Sequence, residues 1–170
     1  MDGILTIDNK KEEKFLRRKP ADFDFQKFSR KEIKELISKM KRAMHAAHGI
    51  GLSANQIGLD FKFFIAEVPN EKGGSKFYAI FNSKTEKASS EKVLFEEGCL
   101  SVPLTYGAVE RPTRIVLSGF DKNGKPIKIK AWGLLARVFQ HEMDHLNGLL
   151  FIDKAKDLRK YENVRKYEKE

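Results

Sequence analysis

Two histidines stand four residues apart in Gln140-His141-Glu142-Met143-Asp144-His145-Leu146. On a helix that spacing puts them one turn apart on one face, where both imidazoles can reach one metal ion. Glu142, beside them, can then act on a metal-activated water as general base. A helix that merely happens to carry two histidines and some acids would show the same letters. The surroundings argue against it: Leu134, Val138, Leu135, Phe139, Leu146 and Leu149 make the helix apolar on more than one side, the mark of a buried helix. An unpaired His–Glu cluster would be costly there, and a metal converts it into a satisfied site.

Two histidines leave such a site incomplete, because zinc-like catalytic centres take three protein ligands and a water. The zinc-peptidase pattern with a third histidine fails: Gly148 is in place, but the ligand position three further on is Phe151, and Glu162 lies in a charged tail. The remaining candidate is Cys99, the only thiol of the chain, within Glu96-Glu97-Gly98-Cys99-Leu100-Ser101-Val102-Pro103. A free cysteine is commonly just a small buried hydrophobe. Here it follows a strand end and a glycine and precedes a proline-restricted loop, which favours a functional thiol. A Cys plus two His set suits borderline metals, zinc and ferrous iron among them. A third feature is Gly49-Ile50-Gly51-Leu52-Ser53-Ala54-Asn55-Gln56. A dinucleotide fingerprint would need a strand before it and a helix after it, and the predicted order is the reverse. The segment is either a glycine-rich edge offering backbone groups and the Gln56 amide to a ligand, or a helix C-cap and an ordinary loop.

The elements that must hold these residues are signposted. Ser29 and Glu32 form a capping box ahead of Ile33, Leu36, Ile37, Met40 and Met44, which predicts an amphipathic helix from about 30 to 48, with Gly49 as its stop. The stretch 10–24 reads as an extended lead-in with at most one helical turn. Short strands are predicted at 61–68, 77–82, 92–96, 114–120 and 126–132, the last two joined by a hairpin turn at Asp121-Lys122-Asn123-Gly124. The metal-bearing helix should cover about 134–149, and the tail 154–170 should form a solvated, highly charged helix. The predicted class is α+β: antiparallel sheets around a central buried helix carrying His141, Glu142 and His145, with an N-terminal and a C-terminal helix. With 170 residues, 41% apolar and 34% charged, the chain is expected to be one domain, 1–170, with a real core. No apolar run is long enough to cross a membrane, and neither a secretory signal nor a transit segment is visible.

Taken together, the three segments resemble the peptide deformylase family, metalloenzymes that remove the N-formyl group from new polypeptides. The family's blocks are Gly-x-Gly-Leu-Ala-Ala-x-Gln, Glu-Gly-Cys-Leu-Ser and Gln-His-Glu-x-Asp-His-Leu-x-Gly. This chain has Gly49–Gln56, Glu97–Ser101 and Gln140–Gly148 in that order. One departure is Ser53, where the family commonly has alanine, a small-for-small change expected to leave the chemistry untouched. The resemblance implies that Cys99, His141 and His145 bind the metal and that Glu142 is the acid/base. It implies that the Gln56 side chain and the Leu100 backbone N–H hold a developing oxyanion. Gly51 and Gly98 would contact the peptide backbone, and Arg111 matches a position usually kept basic near the substrate path. Ile50, Leu134 and Val138 are candidates for an apolar pocket taking the methionine side chain. Arg137, on the same helix face, must then point away or form the rim.

Ferrous iron is the metal implied in the cell, with zinc, nickel or cobalt able to replace it. Substrates would be N-formylmethionyl nascent peptides in a bacterial cytoplasm. The net charge of +9 invites contact with ribosomal RNA through Lys154, Lys156, Arg159, Lys160, Arg165, Lys166 and Lys169. Two rival readings stand beside this one. A zinc endopeptidase would cleave unformylated chains without needing Cys99. A structural metal site in a basic RNA-binding domain would need a fourth ligand from His45 or His48, which sit at a helix end and suit capping or solvation better.

Overall fold

The computed structural model describes residues 3–70 and 73–161. The described residues hold three α-helices: α1 (Lys10–Leu16), α2 (Arg30–Ala46) and α3 (Gly133–His145). The strands are β1 (Gly51–Ser53), β2 (Phe63–Pro69), β3 (Ser75–Ala88), β4 (Lys92–Cys99), β5 (Val102–Pro112), β6 (Arg114–Phe120), β7 (Pro126–Trp132) and β8 (Lys156–Lys160). They form an antiparallel sheet of order β1-β2-β3-β6-β7 and a smaller one of order β4-β5-β8.

The capping box starts α2 as its letters require. Glu32 N–H donates to Ser29 Oγ at 3.2 Å, and Ser29 N–H donates to Glu32 Oε2 at 2.7 Å. The helix buries Ile33, Ile37, Met40 and Met44 against Leu52, Phe63, Ile65 and Phe81 on one side of the large sheet. Its stop differs from expectation: His48, not Gly49, takes the left-handed conformation, φ 55°. The other side of the sheet packs Phe64, Ala66, Ile80, Ile115 and Leu117 against Ala136, Val138, Phe139 and Leu146 of α3 or just beyond it. The large sheet is thus apolar on both faces, with a helix on each.

Helix α3 ends near His145, short of the expected 149. Gly148 makes the turn at φ 73°, where a Cβ would stand 2.3 Å from the Arg17 carbonyl oxygen. Residues 10–16, expected to be extended with at most a turn, form α1. Its cap is Asn9, whose side chain accepts from the Lys11 and Glu12 N–H groups. The tail is corrected more sharply: residues 156–160, expected to be helical, form β8 on the free edge of β5. Every residue of β8 is exposed, and lysine, arginine and aspartate suit an edge strand that must not recruit another chain. Arg165, Lys166, Lys169 and the rest of the expected C-terminal helix lie outside the described residues, as does Glu162. Among the described residues, no helix is long and apolar enough to cross a membrane.

Candidate metal centre and substrate cleft

Strands β1 and β4 each end their own sheet, and a cleft of about 620 Å³ runs between them with α3 on its wall. Cys99 arrives at the end of β4, while His141, Glu142 and His145 come from consecutive turns of α3. One ligand atom from each of Cys99, His141 and His145 lies within 4.8 Å of the others, and Cys99 Sγ is 3.2 Å from His145 Nε2. A thiol and two imidazoles at that separation fit a divalent cation. His145 is buried, and the ring nitrogen it turns to the cluster is Nε2, the one that faces the Cys99 thiol.

Glu97 fixes His141. Its Oε2 is 3.0 Å from His141 Nδ1, which leaves Nε2 as the ring nitrogen available to a cation. Glu97 in turn accepts from Arg111 Nε and Nη2 at 2.6 and 2.8 Å and from Arg137 Nη1 at 2.6 Å. Burial opposes its ionisation, but Arg111 and His141 outweigh that and hold its carboxyl well below the usual carboxylate range. His141 is partly buried, which opposes its protonation, yet Cys99 and Glu97 push its pKa well above the ordinary value. His145 goes the other way, lowered by burial and by the charge on His141.

Glu142 is 3% exposed, and burial pushes its carboxyl up to about 7. A carboxylate poised near neutrality is matched to taking and returning a proton. Its Oε1 faces Gly51, where a built Cβ would stand only 2.5 Å away, so no other residue fits at 51 without moving the carboxylate. Gln56 is held with its amide oxygen on Ser53 N–H at 2.9 Å. Its Nε2 is thereby turned toward Ser101 Oγ at 3.0 Å and Cys99 Sγ at 3.7 Å.

Ile50, Gly51, Gln56, Gly98, Leu100, Leu134 and Val138 all line the same cleft as the cluster. Arg111 does not. It is 3% exposed and spent on Glu97 and Asp144, so its expected place near the substrate path is corrected to a buried ion-pair network. Arg137 does not point away: it lines the cleft, the second of the two places expected of it. It is buried between Glu97 and the Val109 and Val93 carbonyls, with Phe95 over its guanidinium. Sequence reasoning also passed over Glu97 as the partner of His141 and judged Ser53 inert; Ser53 Oγ lies 2.7 Å from Glu142 Oε2. His45 is paired with Glu67 at 2.7 Å, while His48 lines the cleft.

Comparison with known proteins bears on the family and the fold. The sequence pattern of the family described as polypeptide deformylase matches residues 1–161. A peptide deformylase of Synechococcus sp. (strain CC9605) is 44% identical over 126 residues, 74% of this chain and 63% of that protein, so the aligned stretch falls short of the relative's full length. Among solved structures, a probable peptide deformylase from Synechococcus phage S-SSM7 superposes with a TM-score of 0.79 at 42% identity, covering 89% of this chain and 97% of that one. A class I type b peptide deformylase from Acinetobacter baumannii, bound to Met-Ala-Ser, gives 0.80 at 28% identity over 89% and 96% of the two chains. The chain belongs to the polypeptide deformylase family.

Proposed function

We propose that this protein hydrolyses the N-formyl group from the N-terminal formylmethionine of newly made polypeptides, releasing formate, with residues 1–170 acting as one catalytic domain. The observation that carries this reading is a buried carboxylate, Glu142, between two histidines whose ring nitrogens cluster with the Cys99 thiol beside the cleft. In this reading α3 is the central helix and Cys99, His141 and His145 hold the metal, ferrous iron in the cell. The bound cation would supply Lewis acidity, polarising the formyl carbonyl and making a water nucleophilic at neutral pH.

The remaining steps belong to the chain's own residues. The formylmethionyl peptide lies as an added strand between the edges of β1 and β4, its backbone meeting Gly51 and Gly98. Its methionine side chain enters the apolar pocket of Ile50, Leu134 and Val138. Glu142 Oε1 takes the proton of the attacking water. Gln56 Nε2 and the Leu100 N–H donate to the oxygen on which charge develops, and removing either is worth on the order of 3 kcal/mol of barrier. Glu142 then gives the proton to the leaving nitrogen, freeing formate and the new N-terminus. Lys156, Arg159 and Lys160 on β8 are exposed and would add a basic edge for ribosomal RNA, whereas Lys154 is held by Asp144 at 2.6 Å. A bacterial cytoplasm is the matching location.

The test is formate release from a formyl-methionyl tripeptide by anaerobically purified protein loaded with ferrous iron or nickel. Release is expected in the wild type and loss is expected in Glu142→Ala at equal metal content. Metal-loaded wild type that releases no formate would defeat the proposal.

A further inference from the structure

Ser53 closes β1, and its hydroxyl meets the carboxylate on which the proposed chemistry turns. The side chain is 0% exposed at the end of β1. Its Oγ lies 2.7 Å from Glu142 Oε2 and 2.9 Å from the Glu142 backbone oxygen. The other carboxylate oxygen, Oε1, is the one crowded by Gly51. One three-residue strand therefore addresses both oxygens: Gly51 leaves room for Oε1 beside the cleft, and Ser53 binds Oε2 on the buried side.

This division has a physical consequence. A carboxylate oxygen buried without a partner is costly, so with alanine at 53 Glu142 would gain by turning Oε2 toward any donor or water within reach. The serine hydroxyl removes that incentive. It has one hydrogen and two lone pairs. It can donate to Oε2 when that oxygen is bare, or accept from it when it is protonated while turning its own hydrogen to the Glu142 carbonyl. Oε2 thus keeps a partner while the carboxylate takes and returns a proton.

We propose that Ser53 is a positioning residue of this enzyme: it anchors Oε2 of Glu142, so that Oε1 is the oxygen presented to the cleft. The proposal rests on the reading of Glu142 as acid/base. The competing role is purely structural, Ser53 satisfying a carbonyl near the C-terminal end of α3. That role predicts a change in stability and none in turnover.

The two separate on Ser53→Ala, a variant that removes one oxygen atom, adds no bulk and should fold. Formate release is measured with the nickel-loaded protein well below its melting temperature, and metal content is determined alongside. Expected are a kcat lower by about tenfold, as for a misplaced reacting group, a KM within about twofold of wild type because ground-state binding is untouched, and unchanged metal content. Infrared difference spectra against Glu142→Gln isolate the Glu142 carboxylate band, which should shift in Ser53→Ala with or without metal. An unchanged kcat and an unmoved band would overturn the proposal, as would a lowered melting temperature standing as the only change. Wild type inert on formyl peptides would sink the proposed function instead; the infrared band, read on the same protein, still decides the contact.

Discussion

Glu142 sits where burial, not an opposing charge, dominates its ionisation. Its carboxyl titrates at about 7 against an ordinary 4.5, so the folded state favours the neutral form. Its contribution to stability is complete below the unfolded value and is lost as pH rises through the folded one. Metal-free Glu142→Gln should therefore be more stable than wild type by up to roughly 3 kcal/mol above about pH 8, with the gap closing below about pH 5. Denaturant melts across that range check this; a gap independent of pH would contradict it. Gly51 makes a separate demand. A Cβ there would stand 2.5 Å from Glu142 Oε1 and 3.0 Å from Val138 Cγ1. Gly51→Ala should cut kcat/KM by at least about tenfold while circular dichroism shows an intact fold. The histidine pair and Glu142 announced themselves by helical spacing. Ser53 did not, because its contact with Glu142 spans 89 residues of sequence and only the folded chain brings the two together.

Among the elements, α2 and α3 were visible in advance because their apolar residues repeat at helical steps, and the capping box of Ser29 and Glu32 also marks the start of α2. Ser29 is an exposed cap remote from the cleft, so Ser29→Ala should cost about 1 kcal/mol of stability and leave turnover as it is. Thermal melts and formate release on one sample test both halves. Strands β6 and β7 were equally plain, with a turn whose Asp121 N–H donates to the Lys125 carbonyl at 2.9 Å. The sequence hid β5 and β8. The burial of β5 alternates only over its second half, and its inward positions there are Gly107, Val109 and Arg111, so no apolar period shows in the letters. The wholly exposed β8 has no hydrophobic period at all; backbone pairing to β5 makes it a strand.

Across the whole molecule, the two sheets are tied to α3 by buried charge as well as by apolar packing. Arg111 on β5 bridges Glu97 on β4 and Asp144 on α3, and Lys154 closes the chain on the other oxygen of Asp144. The same Glu97 orients His141, so the brace of the fold and the proposed metal centre share one carboxylate. Arg111→Met should leave buried Glu97 with Arg137 as its remaining cation and Asp144 with Lys154 as its own, and destabilise the protein by roughly 3 kcal/mol, with weakened metal binding as the second symptom. A variant with wild-type stability and full metal content would contradict the shared brace. Because Glu97 ionises well below its ordinary range, its contribution is present above about 4.5 and is lost as pH falls below that value. This pattern of long-range ion pairs could not be foreseen from a charge count of 33 basic and 24 acidic residues, which says only that the surface is positive.

The most direct test of the central claim is the mass of every product formed from a formylated peptide and from its unformylated twin. The metal-loaded wild-type protein should strip the formyl group alone, leave every internal peptide bond intact, and fail to act on the unformylated chain. Cys99→Ala should lose both metal and activity. Internal cleavage of either peptide, or activity surviving in Cys99→Ala, would contradict the account and favour an endopeptidase whose metal does not depend on the thiol.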